Sequence, residues 1–179
     1  MKAVVLDMDE RVLKERERQG LDKRDEMWEG VLHLVPPPTK RHQDVENELA
    51  VALRAAARRR GWAVRTDMGV FADVFDYRVP DIVVYAPEAA SARGVDGPPE
   101  VVIEVRSPGD ESYEKISWYL ARGTKAVLVV DQSSLSLELH TQQGRVIPDE
   151  DGSVLLEPLG VRLTPSPGAL YVDGSALEL

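Results

Sequence analysis

The sequence predicts an α/β protein with a mixed central β-sheet flanked by helices and extended by further β-strands. Three observations carry that expectation. Between Arg41 and Arg60, Val45, Leu49, Ala52, Leu53 and Ala56 recur at helical spacing. Val101-Val102-Ile103-Glu104-Val105 and Ala126-Val127-Leu128-Val129-Val130 are apolar, largely β-branched runs of the kind covered on both faces of a sheet. Between those runs lies a second helical pattern, so strand, helix and strand follow one another and imply a parallel crossover.

The remaining elements fit around this frame. Residues 10–26 alternate acid and base with few apolar anchors, which reads as a solvated helix in a charged N-terminal extension covering residues 1–26. Trp28-Glu29-Gly30 turns into a short strand that stops at Pro36-Pro37-Pro38, because proline cannot donate to a ladder. Thr39 caps the long helix and Gly61 ends it. Strands are expected over 64–71 and over 77–85, the latter broken at Pro80. A helix from about Asp110 to Arg122 turns Ile116, Tyr119 and Leu120 inward and ends at Gly123. Residues 135–140 and 145–147 form a hairpin around Gln143-Gly144, and a Gly- and Pro-punctuated tail supplies further strands.

With 179 residues, one domain over residues 1–179 is expected, burying about two-thirds of its unfolded surface. The chain has no cysteine, which excludes a disulfide framework, a cysteine nucleophile and a thiolate zinc site. Any metal should therefore bind oxygen or imidazole, and the three histidines, His33, His42 and His140, lack zinc-site spacing. No apolar run approaches the ~20 residues of a membrane helix, and residues 1–9 lack a secretory pattern, so a cytoplasmic protein without a membrane partner is expected. The net charge of −9 argues against a general nucleic-acid coating surface. Charge is unevenly spread, however. Residues 40–65 carry seven basic against three acidic residues, whereas residues 66–179 carry eight against nineteen. Phosphate should therefore approach along the basic helix.

Charged residues inside the strands are the anomaly. Glu104 interrupts an apolar run, and a carboxylate there needs an ion pair, hydrogen bonds or a metal. Period-two alternation puts Arg106 on the same face, so a Glu104–Arg106 ion pair is the simplest structural explanation. Asp81, after Pro80, opens another apolar strand, and two such carboxylates form a sufficient protein shell for Mg2+ or Mn2+. His42 and Glu46 stand one turn apart beside the apolar stripe of the long helix and are candidate site residues. Asp131 ends a strand and reads as a turn cap. The glycine-rich nucleotide loops and the Gly-x-Ser-x-Gly elbow are absent.

Pro80-Asp81 followed by Glu104-Val105-Arg106 resembles the PD-(D/E)xK nuclease signature. Trp28-Glu29-Gly30, His42, Val79-Pro80-Asp81, Glu104-Val105-Arg106-Ser107-Pro108, Glu114-Lys115, Tyr119, Gly123 and Asp131 together resemble the Uma2 (DUF820) family over roughly residues 26–135. That resemblance implies a restriction-endonuclease-like core and a metal-dependent endonuclease acting on DNA. It assigns Asp81 and Glu104 to the metal, with Glu46 as an additional ligand and His42 as a phosphate or proton-transfer contact. The motif lysine, commonly displaced to the following helix, is Lys115, which would orient or activate water. Arg106 departs from the pattern by standing where the strand lysine is usual. A guanidinium stays protonated, so Arg106 is assigned to phosphate rather than to base chemistry. A homodimer would suit cutting of both strands. The alternative is a catalytically inactive protein that keeps the nuclease fold as a binding or scaffold module.

Overall fold

The computed structural model describes residues 9–179. Helix α1 (Glu10–Gln19) buries none of its side chains and is held locally, by Asp9 accepting from the Arg11 N–H and by the Lys14–Glu10 pair. Such exposed pairs contribute only tenths of a kcal/mol each, about 0.3–0.5. Its tertiary anchor is Arg16, whose guanidinium meets Asp25 at 2.5 Å and the Leu21 carbonyl at 3.0 Å.

Strands β1 (Glu26–Trp28) and β2 (Val31–His33) form a hairpin. Glu29 and Gly30 both have positive φ, 50° and 86°, the combination required by a two-residue turn whose twist matches the strands. Trp28 therefore belongs to a strand of its own, where the sequence pattern indicates only a turn leading into one strand.

Helix α2 (Lys40–Arg59) begins after the three prolines, with the Thr39 side chain accepting from the His42 N–H, and the chain leaves it through Gly61 at φ 75°. Its buried face runs His42, Val45, Glu46, Leu49, Ala50, Leu53, Ala56 and Ala57. Next come β3 (Ala63–Thr66), β4 (Val70–Phe71), β5 (Tyr77–Arg78) and β6 (Ile82–Tyr85). Each of the two longer strands expected here is two strands in different sheets. A positive φ at Asp67 redirects the first run, and Pro80 the second. β4 and β5 complete a sheet of order β2-β1-β5-β4, whereas β3 and β6 enter the central sheet.

The central sheet is completed by β7 (Val101–Arg106), β8 (Ala126–Asp131), β9 (Leu137–Thr141) and β10 (Gly144–Arg145), in the order β10-β9-β8-β7-β6-β3. β7 and β8 are parallel, linked through α3 (Ser112–Ala121), and the other neighbours are antiparallel. Ile103 and Val105 enter the cluster formed with α2, whereas Val102, Val127 and Val129 pack with Ile116 and Tyr119 of α3. A third sheet, β11 (Val154–Leu156), β12 (Val161–Ser166), β13 (Ala169–Val172) and β14 (Ser175–Ala176), adds Leu156, Leu163 and Leu170 to the α2 side. Among the described residues, no helix is long and apolar enough to cross a membrane.

Leu49 is fully buried between α2 and the sheet, whereas Val51, on the same helix, is 56% exposed. Leu49→Ala should cost about 2–5 kcal/mol in urea denaturation, and Val51→Ala about 0.5 kcal/mol or less. Equal effects would contradict the assigned helix face.

Candidate metal-binding and active site

Asp81 stands where β6 begins. Ladder pairing between β6 and β7 ends at Ile82 opposite Ile103, and the Val105 N–H farther along β7 donates to Asp81 Oδ2 at 2.7 Å. The other oxygen, Oδ1, meets His42 Nε2 at 2.9 Å and Arg24 Nη2 at 2.5 Å. Burial alone would raise the Asp81 pKa, but His42, Lys115 and Arg24 outweigh it and hold the carboxyl below its ordinary range. The same carboxylate acts on His42 in return: burial disfavours the imidazolium, yet the hydrogen bond and charge of Asp81 raise the His42 pKa. Ser107 Oγ lies 3.3 Å from the outer ring nitrogen, His42 Nδ1.

Glu46 lies one helical turn beyond His42, with Oε2 3.7 Å from His42 Nε2 and 3.8 Å from Arg24 Nη2. That oxygen is buried and has no hydrogen-bond donor. Burial, then Asp67 and Asp81, push the Glu46 pKa up to about 7 against the pull of Arg24 and His42. His42, Glu46 and Asp81 each offer one ligand atom, and these atoms lie within 4.8 Å of one another. An undonated buried oxygen, a second carboxylate and an imidazole fit a divalent cation.

Glu104 projects from the opposite side of β7, toward α3. Tyr119 Oη donates to its Oε1 at 2.9 Å, and Lys115 Nζ lies 2.7 Å from its Oε2. Lys115 also reaches Glu26 Oε1 at 3.3 Å, and Glu26 accepts from the Val79 N–H and from Trp28 Nε1. Burial, helped by Asp81 and Glu26, raises Glu104 to about 8 despite Lys115. Lys115 is buried as well, but Glu104, Glu26 and Asp81 hold its proton more firmly than water does. The expected Glu104–Arg106 pair is not found. Glu104 pairs with Lys115 rather than Arg106, and Lys115 is itself only 8% exposed.

Arg106 stands apart from this group. Its guanidinium meets Asp131 Oδ2 at 2.8 Å and lies 5.3 Å from the Tyr113 ring. Asp131 also accepts from the N–H groups of Ser133 and Ser134, as a turn cap does. The basic end of α2 is separate too, since Arg58 follows Glu46 by twelve residues, about 18 Å along the axis. Asp81, Glu104, Lys115 and His42 line one cavity of about 240 Å3, walled by Pro36–Pro38 and residues 107–112.

Three residues of this constellation are not singled out by sequence patterns: Arg24, Glu26 and Asp67. Glu26 carried a signal, an acid beside Met27 and Trp28 in a short strand. Arg24 carried none, because it follows a stretch dense in unburied charge. Its Nε lies 2.9 Å from Asp67 Oδ1, an ion contact whose angle falls outside a hydrogen bond.

Residues 12–166 match the model of the Uma2 family, described as "Putative restriction endonuclease". The chain belongs to the Uma2 family. Among solved structures it is similar to "a putative nuclease belonging to DUF820" from Anabaena variabilis, with a TM-score of 0.65 at 20% identity over 76% of this chain and 83% of that one. At that identity the likeness establishes the fold, and the Uma2 chain described here shares the nuclease-like architecture of that protein. No curated protein matches the sequence.

The raised Glu46 pKa has a consequence for stability. A carboxyl whose folded pKa is about 7 rather than 4.5 favours folding fully below pH 4.5, and that contribution is lost as pH rises through 7. With chelator present, Glu46→Gln should be more stable than the native chain by about 2 kcal/mol at pH 8 and nearly equal at pH 5. Urea denaturation at the two pH values checks this, and a difference independent of pH would contradict it.

Proposed function

We propose that this Uma2 protein is a divalent-metal-dependent endonuclease that hydrolyses DNA phosphodiester bonds. The observation that carries the reading is the convergence of His42, Glu46 and Asp81 within 4.8 Å beside a cavity, with a Glu46 oxygen buried and undonated. Asp81, ionised and fixed by the Val105 N–H, is the leading metal ligand, joined by Glu46 and His42. Glu104 lines the same cavity but is not one of the three converging residues, and its oxygens are held by Lys115 and Tyr119, so it would join as a ligand only by leaving Lys115. Mn2+ suits the set better than Mg2+, because an imidazole is present among the oxygens. When bound, such an ion supplies charge neutralisation at the phosphate and lowers the pKa of an attacking water.

The chain's own groups divide the remaining tasks. Lys115, held protonated, donates to a water or phosphate oxygen and stabilises charge developing there. That is an orienting role rather than the base role expected of a motif lysine. His42 can exchange a proton through Nδ1, beside Ser107. The cavity beside these groups, about 240 Å3, is large enough to take a phosphodiester group and its waters. Arg106 lies outside the cluster on Asp131, and this reading assigns it a contact with the approaching strand only.

The decisive assay is Mn2+-dependent plasmid nicking with calorimetric Mn2+ titration. Asp81→Asn should lose nicking and metal affinity by about 100-fold or more, since even outer-shell partners cost 10–100-fold. An Asp81→Asn protein that binds Mn2+ like the native chain would overturn the reading and favour a nuclease-fold binding module.

DNA reaches the cleft over a surface that carries free cations. Among the described residues, Arg54, Arg58 and Arg59 lack a carboxylate partner, and Arg54, Arg58, Arg65 and Trp62 line one shallow concavity. Replacing Arg54 and Arg58 with Ala should weaken DNA binding at low salt and reduce the slope of log affinity against log salt by about 2, measured with chelator present. An unchanged slope would place the DNA path elsewhere.

A further inference from the structure

Arg24 lies in the turn between α1 and β1, outside every element that builds the central sheet. Its guanidinium nonetheless reaches the metal cluster, contacting Asp81 Oδ1 at 2.5 Å, Asp67 Oδ1 at 2.9 Å and Glu46 Oε2 at 3.8 Å. Asp81 Oδ1 also meets His42 Nε2, so both lone-pair positions of that oxygen are taken. A cation entering among His42, Glu46 and Asp81 must therefore remove a donor from this oxygen, and it would face a fixed positive charge beside the same carboxylates.

We propose that Arg24 is an internal counter-cation of this site, holding the place of the dication in the metal-free protein and leaving when the ion binds. The inference rests on the metal reading given above. It also gives the N-terminal helix a task. Asp25, the residue after Arg24, is fixed on one oxygen by Arg16 of α1 at 2.5 Å and by the Val35 N–H at 2.9 Å. The α1 segment thus aims Arg24 into the cluster, and loosening it should release the site. Among the described residues, the permanent cations that form ion pairs with the five carboxylates Glu26, Glu46, Asp67, Asp81 and Glu104 are Arg24 and Lys115. With Arg24 withdrawn and no ion present, the cluster would be left with Lys115 alone.

The test is calorimetric titration with Mn2+ of the full chain and of Arg24→Gln, Arg24→Lys and Arg16→Ala, with melting in chelator alongside. Arg24→Gln should bind Mn2+ about tenfold more tightly than the native chain, a coupling of ordinary size, and should melt lower without metal. Arg24→Lys should stay near native affinity. Arg16→Ala, which alters no group of the cluster, should shift affinity in the same direction as Arg24→Gln but less, and it carries the test should Arg24→Gln fail to fold. Equal or weaker Mn2+ binding by Arg24→Gln, or by Arg16→Ala where Arg24→Gln does not fold, would overturn the inference and leave the metal reading standing. Absence of Mn2+ binding in all four proteins would overturn both.

Discussion

Asp81 accepts hydrogen bonds from three parts of the chain at once: the Val105 N–H of β7, His42 of α2, and Arg24 of the N-terminal turn. A buried carboxylate is tolerated only when it is compensated in this way, because leaving one unpaired costs several kcal/mol or shifts its pKa until it is neutral. The rest of the site is arranged around the same demand. Glu46, with a donor missing, is pushed toward neutrality, and burial pushes Glu104 the same way despite its contacts with Lys115 and Tyr119. Asp81, at the start of β6, and Glu104, on neighbouring β7, are brought together by the sheet, and α2 and α3 deliver His42 and Lys115 from its opposite faces. Sheet pairing thus holds together groups that repel one another.

Regular elements were legible wherever periodicity was clean. The apolar stripe of α2, its Thr39 cap and its Gly61 exit mark a helix without further help, and β7 and β8 read directly from their β-branched runs. The run ending in β6 was legible as strand but not as two sheets, because Pro80 shows that pairing stops without showing where the partners lie. Glu104, Asp81, His42 and Glu46 stood out because each is polar among apolar neighbours or beside a stripe. Arg24 was illegible for the opposite reason. Its surroundings in sequence are uniformly charged, and only tertiary packing distinguishes it from Lys23. The expected Glu104–Arg106 pair fails on the same ground: strand alternation fixes the face of Glu104, but α3 presents Lys115 and Tyr119 to it, while Asp131 at the end of β8 takes Arg106.

The charge distribution would reconcile an acidic chain with the polyanionic substrate of the proposed function. Much of the negative charge is compensated locally, as in the Arg78–Asp76 and Arg162–Asp149 pairs, while among the described residues three arginines at the far end of α2 have no carboxylate partner. An acidic protein can present a positive face in this way, and under the proposed function a metal would offset the carboxylates at the cleft as a phosphate approached. Membership of the Uma2 family and the shared architecture make a nuclease the natural frame, but the fold alone does not fix chemistry. The chemistry rests on whether these carboxylates hold an ion.

Anomalous diffraction from crystals soaked in Mn2+ tests that claim most directly. A single strong peak among His42, Glu46 and Asp81, with the Arg24 guanidinium displaced from Asp81 Oδ1, is the predicted result. No peak at that position, or one bound only by surface carboxylates such as Asp149, would contradict the account.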